Sequence, residues 1–152
     1  MRGYSQTLTE RRVDLVADGV ARAIGVVALC GIGLIHFIDL FGKWHETRYV
    51  AVLYLGLIAG TLLASAWLLG GRERAGWTLG AFLALATGIG YAVSRLWGLP
   101  DAGYDVGNWT EPLGAASLFV EGFMVLLSAA VLMTHRATAS DRSSIERGLA
   151  PA

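Results

Sequence analysis

Charge is what this sequence is short of. Only 16% of its 152 residues are Asp, Glu, Lys or Arg, against about a quarter in an ordinary soluble domain. None falls between Arg48 and Arg72 or between Arg74 and Arg95. Runs of that kind exclude a soluble enzyme, a nucleic-acid binder and a disordered chain. Cysteine is nearly missing: Cys30 stands alone in an apolar run, so no intrachain disulfide is available. Proline interrupts no apolar run at its middle. Lysine occurs once, at Lys43, beside eleven arginines, and twelve basic residues balance twelve acidic ones. Zero net charge gives no bulk attraction to a polyanion.

What fills the chain is apolar: 55% of residues are hydrophobic and the mean hydropathy is +0.54. Four runs stand out, at about 23–41, 49–69, 76–97 and 112–133. Each has the roughly 20 residues that a helix needs to cross ~30 Å of hydrocarbon. The sequence therefore predicts an all-α, polytopic membrane protein, a four-transmembrane-helix bundle over 23–134 lying in the lipid bilayer. Residues 1–22 read as a short amphipathic interfacial helix. Thr7-Leu8-Thr9-Glu10 fits a capping box, and Val13, Val16, Ala17 and Val20 recur at helical spacing. Residues 135–152 are polar, poor in aromatics and read as a flexible tail.

Orientation follows from basic residues in the short flanks. The N-terminal segment, the second connection and the tail hold nine, and the other side holds only Lys43, Arg48 and Arg95. Both termini are accordingly expected in the cytoplasm of a bacterial inner membrane. Aromatic belts are expected at Trp44, Tyr49, Trp97, Tyr104 and Trp109 outside, and at Trp67 and Trp77 inside. Gly56 and Gly60 on the second run, and Gly76, Gly80 and Gly88 on the third, form small faces. Such faces let helices approach closely, within the chain or through self-association and contacts with other membrane subunits.

An ionisable group inside hydrocarbon is costly and therefore marks a candidate site. His36 and Asp39 on the first span, Arg95 on the third and Glu121 on the fourth qualify. Tyr54, Tyr91, Ser94 and Ser117 join them at like depth. By helix rise, His36 lies roughly 7 Å and Glu121 roughly 13 Å below the outer ends of their spans. A polar cluster in the outer half of the bundle is expected, with Arg95 paired to Asp39 and Glu121 hydrogen-bonded to His36 or Tyr91. It serves either as a register-fixing network or as a site for a small solute, proton or metal. The third connection adds Asp101, Asp105, Asn108, Trp109 and Glu111, read as a Trp-anchored loop over the cluster.

His36, Asp39, His45 and Glu121 are metal ligands by type alone, because no HExxH or CxxC motif is present. A haem held by two histidines needs a pair at one depth. His36, His45 and His135 fall at three different levels, so a partner subunit would have to supply the second ligand. No cofactor is assigned.

Three polar stretches carry a resemblance: Ser94–Pro100, Asp105–Gly114 and Ser117–Gly122, with Leu34-Ile35-His36-Phe37-Ile38-Asp39 on the first span. Together they resemble a signature of small, uncharacterised four-helix integral membrane proteins of actinobacteria. The resemblance implies the topology and the inner-membrane location, and it carries no catalytic role. The expectation is a non-enzymatic accessory subunit or small binding module. A small-solute or proton-coupled transporter acting as an oligomer, and a metal- or haem-associated redox subunit, are the alternatives.

Overall fold

In lipid a backbone has no water to bond with, so an apolar run closes its hydrogen bonds internally as a helix. The computed structural model describes residues 2–101 and 103–148, with side-chain surroundings given at 13, 15–101, 103 and 105–135. The chain forms α1 (Arg2–Glu46), α2 (Arg48–Leu69), α3 (Glu73–Leu96) and α4 (Pro112–Gly148), with a 3₁₀ turn at Gly103–Asp105. All four helices are long and apolar enough to cross a membrane, over Leu15–Glu46, Arg48–Leu69, Glu73–Leu96 and Pro112–His135. Each packs against its neighbours in sequence and α4 closes onto α1, while α1 and α3 barely meet across the diagonal. The result is an up-down-up-down four-helix bundle.

Several boundaries differ from the sequence reading. α1 is one unbroken helix of 45 residues that runs from the segment read as interfacial directly into the first span. It begins at Arg2, upstream of the Thr7–Glu10 capping box, whose side chains lie outside those described. Helix also continues past Phe41 through Gly42–Glu46, leaving Thr47 as the whole α1–α2 connection. At the other extreme, α4 runs through Gly148 into the segment read as a flexible tail. The side chains of that segment beyond His135, like that of Tyr104 in the expected outer belt, lie outside those described.

The half of the bundle nearest the termini is packed with apolar side chains. Leu29, Ile32, Ala64, Leu68, Trp77, Ala84 and Met124 are buried there and at mid-bundle. Trp77 corrects the belt reading: it is 1% exposed and belongs to the core. The cause is Gly25, where a Cβ would sit 2.6 Å from the indole, so the missing side chain makes room for the ring. Trp67 keeps an interfacial place, with the Arg72 guanidinium 4.8 Å above its ring. The nearby Gly70-Gly71 reversal uses a left-handed residue, Gly71 at φ +80°. Arg22 ties α1 to the start of α3 through Glu73 at 2.8 Å.

The small faces are mostly spent inside the chain. Gly60 meets Leu83, Gly76 meets Leu68, Gly80 meets Met124 and Leu29, and Gly88 meets Glu121 and Leu118. Gly56 faces open space. Outward-facing Phe37, Phe41, Leu53, Leu62, Phe82, Phe119 and Leu126 are each about half exposed or more, a surface suited to lipid rather than water.

Candidate functional site

At the end away from the termini the packing opens. A chamber of about 420 Å³ lies between the four helices and under the α3–α4 loop. Its wall runs from Asp105 and Glu111 at the loop down to Leu57 and Glu121. From Leu113 to Glu121 that is about 12 Å along α4 by helix rise. The expected cluster of His36, Asp39, Tyr54, Tyr91, Ser94, Arg95, Ser117 and Glu121 all line it. Lys43, Thr47, Tyr49 and Thr87 line it too, and nothing in the sequence marks them as site residues. A basic residue in the outer flank and a threonine between two helices carry no distinctive signal. Apolar side chains, among them Ile35, Leu53, Leu57, Leu83 and Leu113, complete the wall.

The roof is built on Arg95, which is 5% exposed. Its Nη1 lies 2.7 Å from Asp105 Oδ1, and its Nη2 bonds the Glu111 carboxylate. Its carbonyl oxygen accepts from the Gly107 N–H at 2.9 Å. The Arg95 guanidinium also lies 4.7 Å from the Tyr91 ring centroid, and Trp109 meets Tyr91 edge-on at 6.0 Å. Tyr49 donates from α2 to the Pro100 carbonyl at 2.8 Å. Lys43 of α1 stands 3.7 Å from Asp105. Thus all of α1, α2 and α3 hold the loop over the chamber.

These contacts overturn the expected pairing of Arg95 with Asp39. Asp39 instead accepts from the Tyr54 hydroxyl at 3.1 Å. The reason is reach: two acidic loop residues fold back onto the end of α3, so Arg95 finds its counter-ions there without stretching inward. Asp101 and Asn108 are exposed and take no part in the lining. Asp101 holds a left-handed backbone, φ 59°, at the loop's bend.

The floor is formed by His36 and Glu121, 5% and 2% exposed. Glu121 Oε1 accepts from Ser117 at 2.7 Å, one turn earlier on α4. His36 Nε2 approaches the same oxygen to 3.9 Å, beyond hydrogen-bond length, so the expected His36–Glu121 or Tyr91–Glu121 bond is replaced by one within α4. The His36 ring is braced by Tyr54, edge-on at 4.7 Å, and by Nδ1 at 2.9 Å from the Ile32 carbonyl. Glu121 Oε2 is buried and bonded to nothing among the described residues.

Among the described residues no three His, Cys, Asp or Glu side chains form a metal-holding group. His45 in particular is exposed on the far side of α1's last turns, in a shallow recess with Trp44, Glu46 and Arg48. It does not join His36. Comparison with family models, curated proteins and solved structures finds no match to the chain.

Proposed function

We propose that this protein is a non-enzymatic membrane module that binds a small molecule in the chamber under its α3–α4 loop. The observation that carries the reading is the roughly 420 Å³ space itself, built from all four helices and roofed by a charge-pinned loop. A purely structural polar network would close on its own side chains, since unfilled space forfeits contacts, whereas this space stays open, with exposed Leu53 and Gly90 in its wall. Binding rather than passage is favoured because the terminal half of the bundle is filled by Leu29, Ile32, Leu68, Trp77 and Met124. In this conformation the chamber has one blind end, a seat for a ligand with no path through the bundle.

In this reading the protein sits in a bacterial inner membrane with its termini in the cytoplasm, as the asymmetry of basic residues supports. The chamber then faces the outer side. Its polar stretches remain those that resemble the small actinobacterial membrane proteins, a likeness that supports the topology and the inner-membrane location.

The test is thermal unfolding of the purified protein in detergent with a panel of small neutral, anionic and cationic amphiphiles. At least one class should raise the Tm. Leu57 is buried and lines the chamber, so Leu57→Trp should intrude on the space and weaken the effect. A Tm indifferent to every solute, or a shift untouched by Leu57→Trp, defeats the reading.

A further inference from the structure

Binding chemistry can be read from which hydrogen-bonding groups at the chamber floor are already spent. The donors there are used. Ser117 gives its proton to Glu121 Oε1, and Tyr54 gives its proton to Asp39. His36 turns Nδ1 to the Ile32 carbonyl, and since a carbonyl only accepts, Nδ1 is the protonated nitrogen. In the neutral ring Nε2 is then an acceptor, and it faces Glu121, another acceptor, at 3.9 Å. Glu121 Oε2, in a residue 2% exposed, has no donor among the described residues.

The charges point the same way. Four carboxyl groups line the chamber, from Asp39, Asp105, Glu111 and Glu121, against the two cationic side chains of Lys43 and Arg95. Arg95 is committed to Asp105 and Glu111 at the roof. Lys43 stands by Asp105 and Glu46. Neither Asp39 nor Glu121 has a Lys or Arg within ion-pair distance among the described residues. The floor is therefore rich in acceptors and short of donors and positive charge; the donors left without a partner among the described residues, the hydroxyls of Tyr91 and Thr47 and Nε of Arg95, belong to the walls and roof above it.

We infer that the chamber takes an organic monocation, a protonated amine on a compact apolar body, with the ammonium seated between Glu121, His36 and Asp39. This rests on the binding reading above and specifies its ligand class. An ammonium offers three N–H donors and one positive charge, which matches a floor whose carboxyl groups, Asp39 and Glu121, have no Lys or Arg partner among the described residues. A carboxylate ligand would add an acceptor to an acceptor-rich floor and is disfavoured. A neutral alcohol fits the walls but satisfies only part of the floor.

The experiment is calorimetric titration of the full-length protein in detergent, corrected with a protein-free micelle blank. Phenethylamine, phenethyl alcohol and phenylacetate serve as probes of one shape and three charge types. The amine should bind about tenfold or more tighter than the alcohol, and phenylacetate most weakly. Glu121→Gln should bring the amine down to the level of the alcohol measured in the same variant, and a helical circular-dichroism spectrum matching that of the unmodified protein shows that the variant's bundle is formed. Should Glu121→Gln fail to fold, the ranking in the unmodified protein decides alone. Equal affinity for amine and alcohol, or an amine affinity untouched by Glu121→Gln, overturns the inference and leaves the binding reading standing. Absence of binding by all three overturns the inference, and the amphiphile panel then decides the binding reading.

Discussion

Arg95 and Asp105 face each other across ten residues of chain, Nη1 to Oδ1 at 2.7 Å, and that bond folds the α3–α4 loop back onto the bundle. The arginine is nearly fully buried while its second partner, Glu111, remains one-third exposed. A buried guanidinium deprived of a counter-ion is costly, whereas its fully paired form is only modestly stabilising. Asp105→Asn should lower stability by about 1–3 kcal/mol. Asp39→Asn should cost less, because an asparagine oxygen still accepts from Tyr54. Thermal unfolding of both variants in detergent ranks them, and the reverse order would make Asp39 the counter-ion of Arg95 after all.

Gly25 and Gly56 lie on different helices and should respond oppositely to a methyl group. A Cβ at Gly25 would meet the indole of Trp77, which is 1% exposed, at 2.6 Å. Gly25→Ala is expected to destabilise by about 1–3 kcal/mol through overpacking. Gly56→Ala meets nothing within 4 Å and should be neutral or stabilising by about 0.5–1 kcal/mol through reduced chain entropy. The comparison is made by thermal unfolding; equal losses at the two positions would place Trp77 outside the core.

Ser128 is fully buried on α4 and its hydroxyl has no partner among the described residues. Replacing an unsatisfied buried hydroxyl by a methyl group removes a desolvation cost. Ser128→Ala should therefore leave the Tm unchanged or raise it. Ser117→Ala, which strips Glu121 of its donor on α4, should lower it. A marked loss at Ser128→Ala would reveal a bond that the hydroxyl makes in the membrane.

Cys30 sits at the middle of the Leu15–Glu46 span with its thiol on the outward face. Being the single cysteine, it reports on membrane depth without background. A membrane-impermeant maleimide should leave intact membranes unlabelled from either side and react once the protein is denatured in detergent. A cysteine introduced at Gly103 in the loop should label in intact membranes from one side only. Prompt labelling of Cys30 in intact membranes would place α1 outside the bilayer.

Much of the architecture was legible because hydrocarbon imposes a simple rule on a chain. Uncharged runs of spanning length must become helices, and the positions of His36, Asp39, Arg95 and Glu121 stood out since charge is rare there. Helix depth, obtained by counting residues, also brought Tyr54, Tyr91 and Ser117 to the same level, and the chamber gathers them all. Partner choice was a different matter. Depth along an axis says nothing about where a loop folds, so Asp105 and Glu111 displaced Asp39 as the counter-ions of Arg95 only once the loop's path was known. Rotation about each helix axis was equally hidden: it sends Trp77 into the notch left by Gly25 and leaves Glu121 Oε2 without a donor among the described residues. Composition and spacing determined that four helices cross a membrane with a polar layer near one end. Tertiary packing alone decided that this layer surrounds an open chamber, because a void depends on how side chains from four helices fail to meet.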